Sequence, residues 1–276
     1  MMVFRKNDSM RDFVIEFLIF GWKEARACVF AGSFFLVLIA SRYVPLGDLP
    51  RYDFIFLAAI AIQIVLLATR IESGREAVTL CLFHGIGLIL ELFKTHPAVA
   101  SWSYPEPGFL KLGTVPLYSG FMYAAVASYM CQAWRIFDLE LDRYPSYWLS
   151  GPLCAAIYIN FFTNWYIQDL RFLLIPAVFA IFLRTRVNFT VWQGRRRRMP
   201  LVLSFALIGF FIWVAENIAT FFGAWVYPEQ TARWTAVSFQ KFSSWFLLVI
   251  ISFLIVADLK HVRERRLRAD EAPNGA

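Results

Sequence analysis

The sequence predicts an all-α, polytopic transmembrane helix bundle: about eight spans, arranged as two parallel four-helix repeats, with the N-terminus and C-terminus both cytoplasmic. Three observations lead there. The chain of 276 residues is 59% hydrophobic and 18% aromatic but only 17% charged, far from the balance of a soluble domain. Apolar runs approaching the length that crosses hydrocarbon recur along it. A group of uncommon residues also occurs twice in the same order.

Residues 1–24 read as an N-terminal cytoplasmic or interfacial segment. They carry both charge signs and no small-residue cleavage site follows a short apolar core, so no removed signal peptide is expected. Within them, 12–22 alternates acidic with large apolar residues, as a short amphipathic helix lying along the interface does. The transmembrane domain, 25–257, holds apolar runs at 25–44, 53–69, 77–93 and 116–134 in repeat one (25–134). Repeat two (147–257) holds runs at 147–163, 170–183, 200–222 and 239–257. The sixth run is short and carries Pro176. Residues 258–276 are expected to form a cytoplasmic, disordered tail.

Orientation follows from the cations, because short exported loops disfavour Lys and Arg. With the N-terminus inside, the basic residues within 5–26, 70–75, 135–143, 184–198 and 260–268 are cytoplasmic. Only Arg42, Arg51, Lys94, Lys111, Arg171 and Arg233 face outward, and Lys241 lies within the last run. The net charge of +7 therefore reads as topology and contact with anionic headgroups. The run GRRRR, 194–198, is open to a nucleic-acid or phosphoinositide reading, but a cytoplasmic loop flanking two spans explains it more simply. Expected partners are membrane lipid and no nucleic acid, with a homo-oligomer left open; the expected location is the bacterial inner (plasma) membrane, multi-pass.

The doubled pattern is the most informative feature. Tyr43, Asp48, Leu49, Arg51, an apolar run, Thr69 and Arg70 are matched by Tyr166, Asp169, Leu170, Arg171, an apolar run, Thr185 and Arg186. Glu91 is then followed by Thr95, Trp102, Tyr104, Pro105 and Glu106, and Glu216 by Thr220, Trp225, Tyr227, Pro228 and Glu229. Both copies read E-x-x-x-T, a spacer, then W-x-Y-P-E. An even number of spans per copy enters the membrane the same way round, so the repeats are parallel and both W-x-Y-P-E loops face outward.

Helical spacing groups His84, Gly87, Glu91 and Thr95 on one face, and Gly209, Trp213, Glu216, Thr220 and Gly223 on another. Glycine on such a stripe allows close helix approach, so the carboxylates are expected to look into the bundle. An ionisable residue at that depth is a functional candidate by default. Glu91 and Glu216 are the candidate acid and base, and His84 the candidate relay. Trp102, Tyr104, Trp225, Tyr227, Thr95, Thr220, Asn217 and Lys241 are the candidate substrate-binding residues, the two aromatic loops roofing a cavity. Asn160, Asn164 and Tyr123 are further polar residues available to line it. The plainer alternative is a structural network in which Lys94 and Lys241 pair with the glutamates.

Metal chemistry has little to stand on. His84 is the one histidine within a span, and Cys28, Cys81, Cys131 and Cys154 lie in predicted spans without C-x-x-C spacing, as packing residues do. No metal ligands and no cofactor are expected. A nucleophile elbow, P-loop, dinucleotide fingerprint or HExxH is not found. The activity expected from these residues is a membrane-embedded enzyme working on a lipid or isoprenoid by carboxylate acid/base chemistry. A proton-coupled transporter or permease, and a non-catalytic membrane scaffold, are the alternatives.

The stretches FHGIGLILELFKT, SWSYPEP, VPLYSGFMYAAVASY, RTRVNF, RRRRMPL and AENIATFFGAWVYPEQ resemble the YoaT-like bacterial membrane proteins over almost the whole chain. That resemblance implies an integral-membrane topology and brings no activity with it. A more distant similarity is to small membrane-embedded carotenoid enzymes, the heterodimer-type lycopene cyclases and the carotenoid hydratases. Glu91 or Glu216, Trp102 or Trp225, and Val115-Pro116-Leu117 occupy comparable places. This similarity implies proton-initiated chemistry on an isoprenoid. Where the cyclases carry paired glutamates after that proline, this chain has Tyr118 and Ser119 in one copy and Gln240 and Lys241 in the other.

Overall fold

A computed structural model describes residues 10–271, with side chains to Ala257. Residues 1–9 and 272–276, the outer parts of the expected N-terminal segment and tail, lie outside the described residues. The helices are α1 (Met10–Ala27), α2 (Val29–Ala40), α3 (Arg51–Ala68), α4 (Gly74–Lys94), α5 (Ser119–Ile136), α6 (Tyr147–Thr163), α7 (Arg171–Phe182), α8 (Leu201–Phe221) and α9 (Gln240–Glu271). Every expected apolar run becomes a helix, and the amphipathic stretch becomes α1.

Local chemistry sets the boundaries. Ser73 opens α4 with a capping box: the Glu76 amide donates to Ser73 Oγ at 3.3 Å and the Ser73 amide to the Glu76 carboxylate at 2.7 Å, satisfying two otherwise orphaned donors. Pro50 and Pro200, both with extended ψ, precede α3 and α8, as expected of a residue that fixes its own φ and has no amide to offer the first turn.

Length and apolarity divide the helices. Among the described residues α3, α4, α8 and the first part of α9 are long and apolar enough to cross a membrane. The helices α2 and α7 are apolar but have 12 residues each, short of the roughly 20 that span hydrocarbon. The eight expected spans are thus narrowed to four helices that meet both criteria. The reason is visible in α5, which carries Ser119, Tyr123, Ser128 and Gln132 and has ten buried residues. It is a central helix in which Tyr123 bonds Glu91, Ser128 bonds Glu72 and Gln132 bonds the Ile71 carbonyl, while Ser119 Oγ is buried without a hydrogen-bond partner among the described residues. By contrast α3 and α8 are only 28% buried over their spanning windows, leaving Leu57, Ile64, Phe210 and Phe211 exposed on faces that a bilayer would cover.

The all-α expectation needs one correction, because two small sheets are present. Strands β1 (Lys111–Leu112) and β2 (Val115–Pro116) form a two-stranded ladder; β3 (Glu140–Asp142), β4 (Arg186–Thr190) and β5 (Arg196–Pro200) form an antiparallel sheet in the order β3-β4-β5. The arginine run expected to be a plain loop is therefore largely a strand. The partner strand β4 explains this: Val187 and Phe189 are buried while Arg186 is exposed, a period of two that turns one face inward, and β5 pairs along it. The hairpin reverses through left-handed backbone at Gln193 (φ 48°) and Gly194 (φ 69°).

This sheet clasps α1. Arg197 forms a forked pair with Glu16, Nε to Oε1 at 2.7 Å and Nη2 to Oε2 at 2.6 Å, and both side chains are largely buried. Arg195 meets Asp12 at 3.4 Å, and Lys23 Nζ donates to the Thr190 carbonyl at 2.8 Å. The apolar Phe17, Leu18 and Trp22 of α1 remain exposed. The helix is amphipathic, with Asp12, Glu16 and Lys23 turned toward the sheet and Phe17, Leu18 and Trp22 turned away.

Candidate functional site

The helices α4 and α8 end alike. Thr95 Oγ1 donates to the Glu91 carbonyl at 2.8 Å, and Thr220 Oγ1 to the Glu216 carbonyl at 3.0 Å. After each helix the chain doubles back, bringing its W-x-Y segment over the glutamate. The two segments then pair with each other. Ser103 N donates to the Val226 carbonyl and Val226 N to the Ser103 carbonyl, each at 2.9 Å. Each is the middle residue of its own W-x-Y, so equivalent positions exchange reciprocal hydrogen bonds.

Glu91 is 1% exposed and accepts three side-chain hydrogen bonds: Trp102 Nε1 at 2.7 Å and Tyr104 Oη at 2.8 Å on one oxygen, and Tyr123 Oη at 2.9 Å on the other. Glu216 is 3% exposed and accepts from Tyr227 Oη on one oxygen and from Trp245 Nε1 at 2.8 Å on the other. Burial and the adjacent carboxylates push the Tyr104 and Tyr227 phenols well above their ordinary value, so both keep their protons and serve as donors. Tyr123 lies eight residues after Val115, and Trp245 eight after Val237. Each glutamate thus takes a tyrosine from its own W-x-Y-P-E loop and an aromatic donor from the same place on the helix that follows.

Neither lysine makes a direct ion pair with the glutamates, although Lys241 lies near enough for its charge to act on Glu216. Lys94, buried, donates to Asn164 Oδ1 at 3.1 Å and lies over the Phe161 ring at 5.4 Å; Lys241 sits over the Tyr227 ring at 4.4 Å. Among the described residues neither ammonium is within 4.0 Å of a carboxylate oxygen. The site is therefore a pair of carboxylates held by neutral O–H and N–H groups.

A cavity of about 1280 Å³ opens beside this pair. Its walls come from α1, α2, α5, α8 and α9, and on α8 it runs from Leu201 to Ala219; the axial rise from Leu201 to Glu216 alone is about 22 Å. Most of the lining is apolar. Glu91, Glu216, Lys94, Lys241, Arg171 and Asn164 gather at one end. Of the expected binding residues, Trp102, Trp225, Tyr227 and Lys241 line it with the two glutamates. Tyr104 stands behind Glu91, and Thr95 and Thr220 bond to helix carbonyls. Asn217 Oδ1 accepts from the Val237 amide at 2.9 Å, which ties the second loop down. His84 stands off the cavity, edge-on to Phe121 at 4.5 Å and against Gly120, and no hydrogen bond joins it to Glu91.

Sequence reasoning overlooked the scaffold on which the loops hang. Arg51, the first residue of α3, donates to Glu106 at 2.9 Å and to the Phe222 and Gly223 carbonyls at 2.8 and 3.0 Å; Arg42 donates to the Phe222 carbonyl at 2.6 Å. Two cations thus close the C-terminus of α8, where orphan carbonyls and the helix dipole favour positive charge. Arg171 opens α7 in the same way and reaches Ser244 at 2.8 Å. Asp53 accepts from the Phe109 and Leu110 amides at 2.8 and 2.9 Å, which pins the first loop. The doubled arginine positions were visible in the sequence. Trp245 was visible only by extending the Val115–Val237 register along the helix.

The family model "Protein of unknown function (DUF817)" matches residues 16–253. The chain is similar to "Uncharacterized protein YoaT" of Bacillus subtilis (strain 168), 52% identical over 246 residues that cover 89% of this chain and 92% of that protein. No solved structure matches.

Proposed function

We propose, for a chain that belongs to the DUF817 family of proteins of unknown function, a multi-pass enzyme of the bacterial plasma membrane that moves a proton on an unsaturated lipid or isoprenoid. The observation that carries this reading is the placing of two buried carboxyls, held by neutral donors, at one end of a long apolar cavity. Three donors on Glu91 against two on Glu216 make the pair chemically distinct, as a division into acid and base requires. One carboxyl gives its proton to a carbon–carbon double bond, and the other removes a proton from a neighbouring carbon. The outcome is an isomerised or cyclised chain with atoms and charge conserved. Trp102 and Tyr227, packed edge-to-face at 6.1 Å, both line the cavity beside the carboxyls and offer aromatic surface to the cationic carbon between the two steps.

Two further elements belong to the proposal. The protein is a pair of parallel four-helix repeats, supported by the reciprocal Ser103–Val226 pair and by the matched donors on the two glutamates. Both termini are cytoplasmic, supported by the clustering of arginine at the β3-β4-β5 end. The test is mass spectrometry of total lipid from cells lacking the protein, complemented with wild type or with Glu91→Gln/Glu216→Gln at matched abundance. A lipid that appears with wild type and is absent with the double variant supports the enzyme; identical lipids in all strains refute it.

The cavity's length favours one other reading, transport. Proton-dependent uptake into vesicles reconstituted with the pure protein, with no change in lipid mass, selects it.

A further inference from the structure

A second cavity, about 480 Å³, lies where β5 hands over to α8, at the end of that helix remote from Glu216. Four arginines line it, Arg143, Arg184, Arg186 and Arg198, with Asp142 and the apolar Leu183 and Pro200. They come from four places in the chain: the turn after β3, the end of α7, β4 and β5. Register brings them together. Arg186 faces Asp142 on one side and Pro200 on the other, and Arg198 faces Asn188, so Arg186 and Arg198 share the outer face of the sheet.

The arginine run is otherwise neutralised. Arg195 meets Asp12 at 3.4 Å, Arg197 meets Glu16 at 2.6 Å, and Arg196 meets Glu140 at 2.9 Å and Asp138 at 3.6 Å. Arg198 is the member with no carboxylate within 4.0 Å among the described residues, and the same holds for Arg184 and Arg186. The single acid of the cavity, Asp142, is 4.0 Å from Arg143, and both side chains are more than half exposed, a contact of little weight. Four guanidinium groups therefore converge on a space with one exposed counter-charge. All four are exposed, so water screens their repulsion, and an anion entering the space meets guanidinium donors from several sides.

Depth says which anion. One residue past Pro200, α8 becomes a helix able to cross a membrane, so the cavity lies at the level where a span meets lipid headgroups. Leu183, 64% exposed, extends apolar surface from the arginines toward that membrane. We propose that this cavity is a phosphate site that holds the headgroup of an anionic phospholipid. The guanidinium forks grip phosphate oxygens in pairs, and the first acyl carbons run along Leu183. The site is separate from the carboxylate pair and does not depend on the reaction assigned there.

The test follows thermal unfolding of the full-length chain in neutral detergent. It is titrated with phosphatidylglycerol, with phosphatidylcholine, or with inorganic diphosphate. Phosphatidylglycerol raises Tm and phosphatidylcholine does not. Arg186→Gln/Arg198→Gln weakens the response by at least about tenfold, since each arginine near an anionic surface contributes on the order of a fivefold factor. Arg198→Gln alone weakens it about fivefold, whereas Arg196→Gln, on the same strand as Arg198 and with the same single loss of charge, responds like wild type. Should the first double variant fail to fold, Arg143→Gln/Arg184→Gln, outside the strands, reads the same site. If diphosphate alone reproduces the shift with the same dependence on Arg186 and Arg198, the phosphate site stands and the lipid source is overturned. A double variant that responds to phosphatidylglycerol as wild type does, or a wild type that responds to no phosphate, overturns the site.

Discussion

At the scale of single residues, the phenols and indoles are what make two buried carboxylates tolerable. Tyr104→Phe removes one of three donors from Glu91 and Tyr227→Phe one of two from Glu216, each leaving a buried hydrogen bond to a carboxyl group unmade at a cost on the order of 1–3 kcal/mol. The expected outcome is a lower denaturant midpoint for both variants. In a double-mutant cycle, Tyr104→Phe costs less when Glu91 is already Gln. Additive losses would show that the donor and the carboxylate are not coupled. Asp169 permits a pH test outside the spans. Burial raises its carboxyl, but the Arg171 amide, the Asn160 amide group and the Arg171 guanidinium outweigh that and hold it below its ordinary 3.8. A carboxyl lowered by folding stabilises the fold above its unfolded value and loses that contribution as pH falls through the folded one. Wild-type Tm should therefore decline below about pH 3.8, more steeply than that of Asp169→Asn, and parallel curves would refute the linkage. The glutamates and the Trp-x-Tyr loops were legible at this scale because they repeat. The donors on Glu91 and Glu216 were not, since helical spacing names a face and says nothing about which phenol a returning loop lays across it.

At the scale of elements, close approach matters more than length. A Cβ on Gly87 would lie 2.4 Å from the Tyr123 ring, whereas one on Gly85 meets nothing within 4 Å. Gly87→Ala must push away the tyrosine that donates to Glu91. It should cost on the order of 1–3 kcal/mol, as overpacking does, while Gly85→Ala is neutral or slightly stabilising on helix propensity; equal effects on Tm would contradict the packing of α4 on α5. Gly223, seven residues after Glu216, is a close approach of another kind. Its φ of 66° is one that side chains seldom adopt, and a Cβ there would meet Arg42 at 1.7 Å. The helices themselves were legible from their apolar runs, and their order held. The three-stranded sheet was missed because the run of arginines masked the alternation of Val187 and Phe189, and positive charge was read as loop. The brevity of α7 was legible in its short, proline-bearing run, whereas that of α2 was missed because apolar composition does not report where a chain must turn.

At the scale of the whole molecule, the pairing of Ser103 with Val226 makes the two-fold arrangement testable without touching the site. Reciprocally bonded residues on antiparallel strands lie about 5.5 Å apart at Cα, within reach of a disulfide. With the four native cysteines replaced, Ser103→Cys/Val226→Cys should cross-link on mild oxidation as an intramolecular species, and persistent failure to do so would separate the two loops. Sidedness is measured in the same background. Cysteines at 103 and 226 should react with an impermeant reagent added outside cells, and one at 193 should not.

The forked pair between Glu16 and Arg197 spans 181 residues of sequence, which has a consequence for how the chain is made. Synthesis at about 5–20 residues per second leaves α1 waiting for on the order of ten to forty seconds before its arginine leaves the ribosome. Through that interval its acidic side has no sheet to meet and its exposed phenylalanines and tryptophan have only lipid. The helix α5 can receive it earlier, since Glu24 accepts from Tyr129 and Phe20 packs on Phe137, so α1 is seated in two stages, its C-terminal half on α5 and its N-terminal acids only when the hairpin arrives.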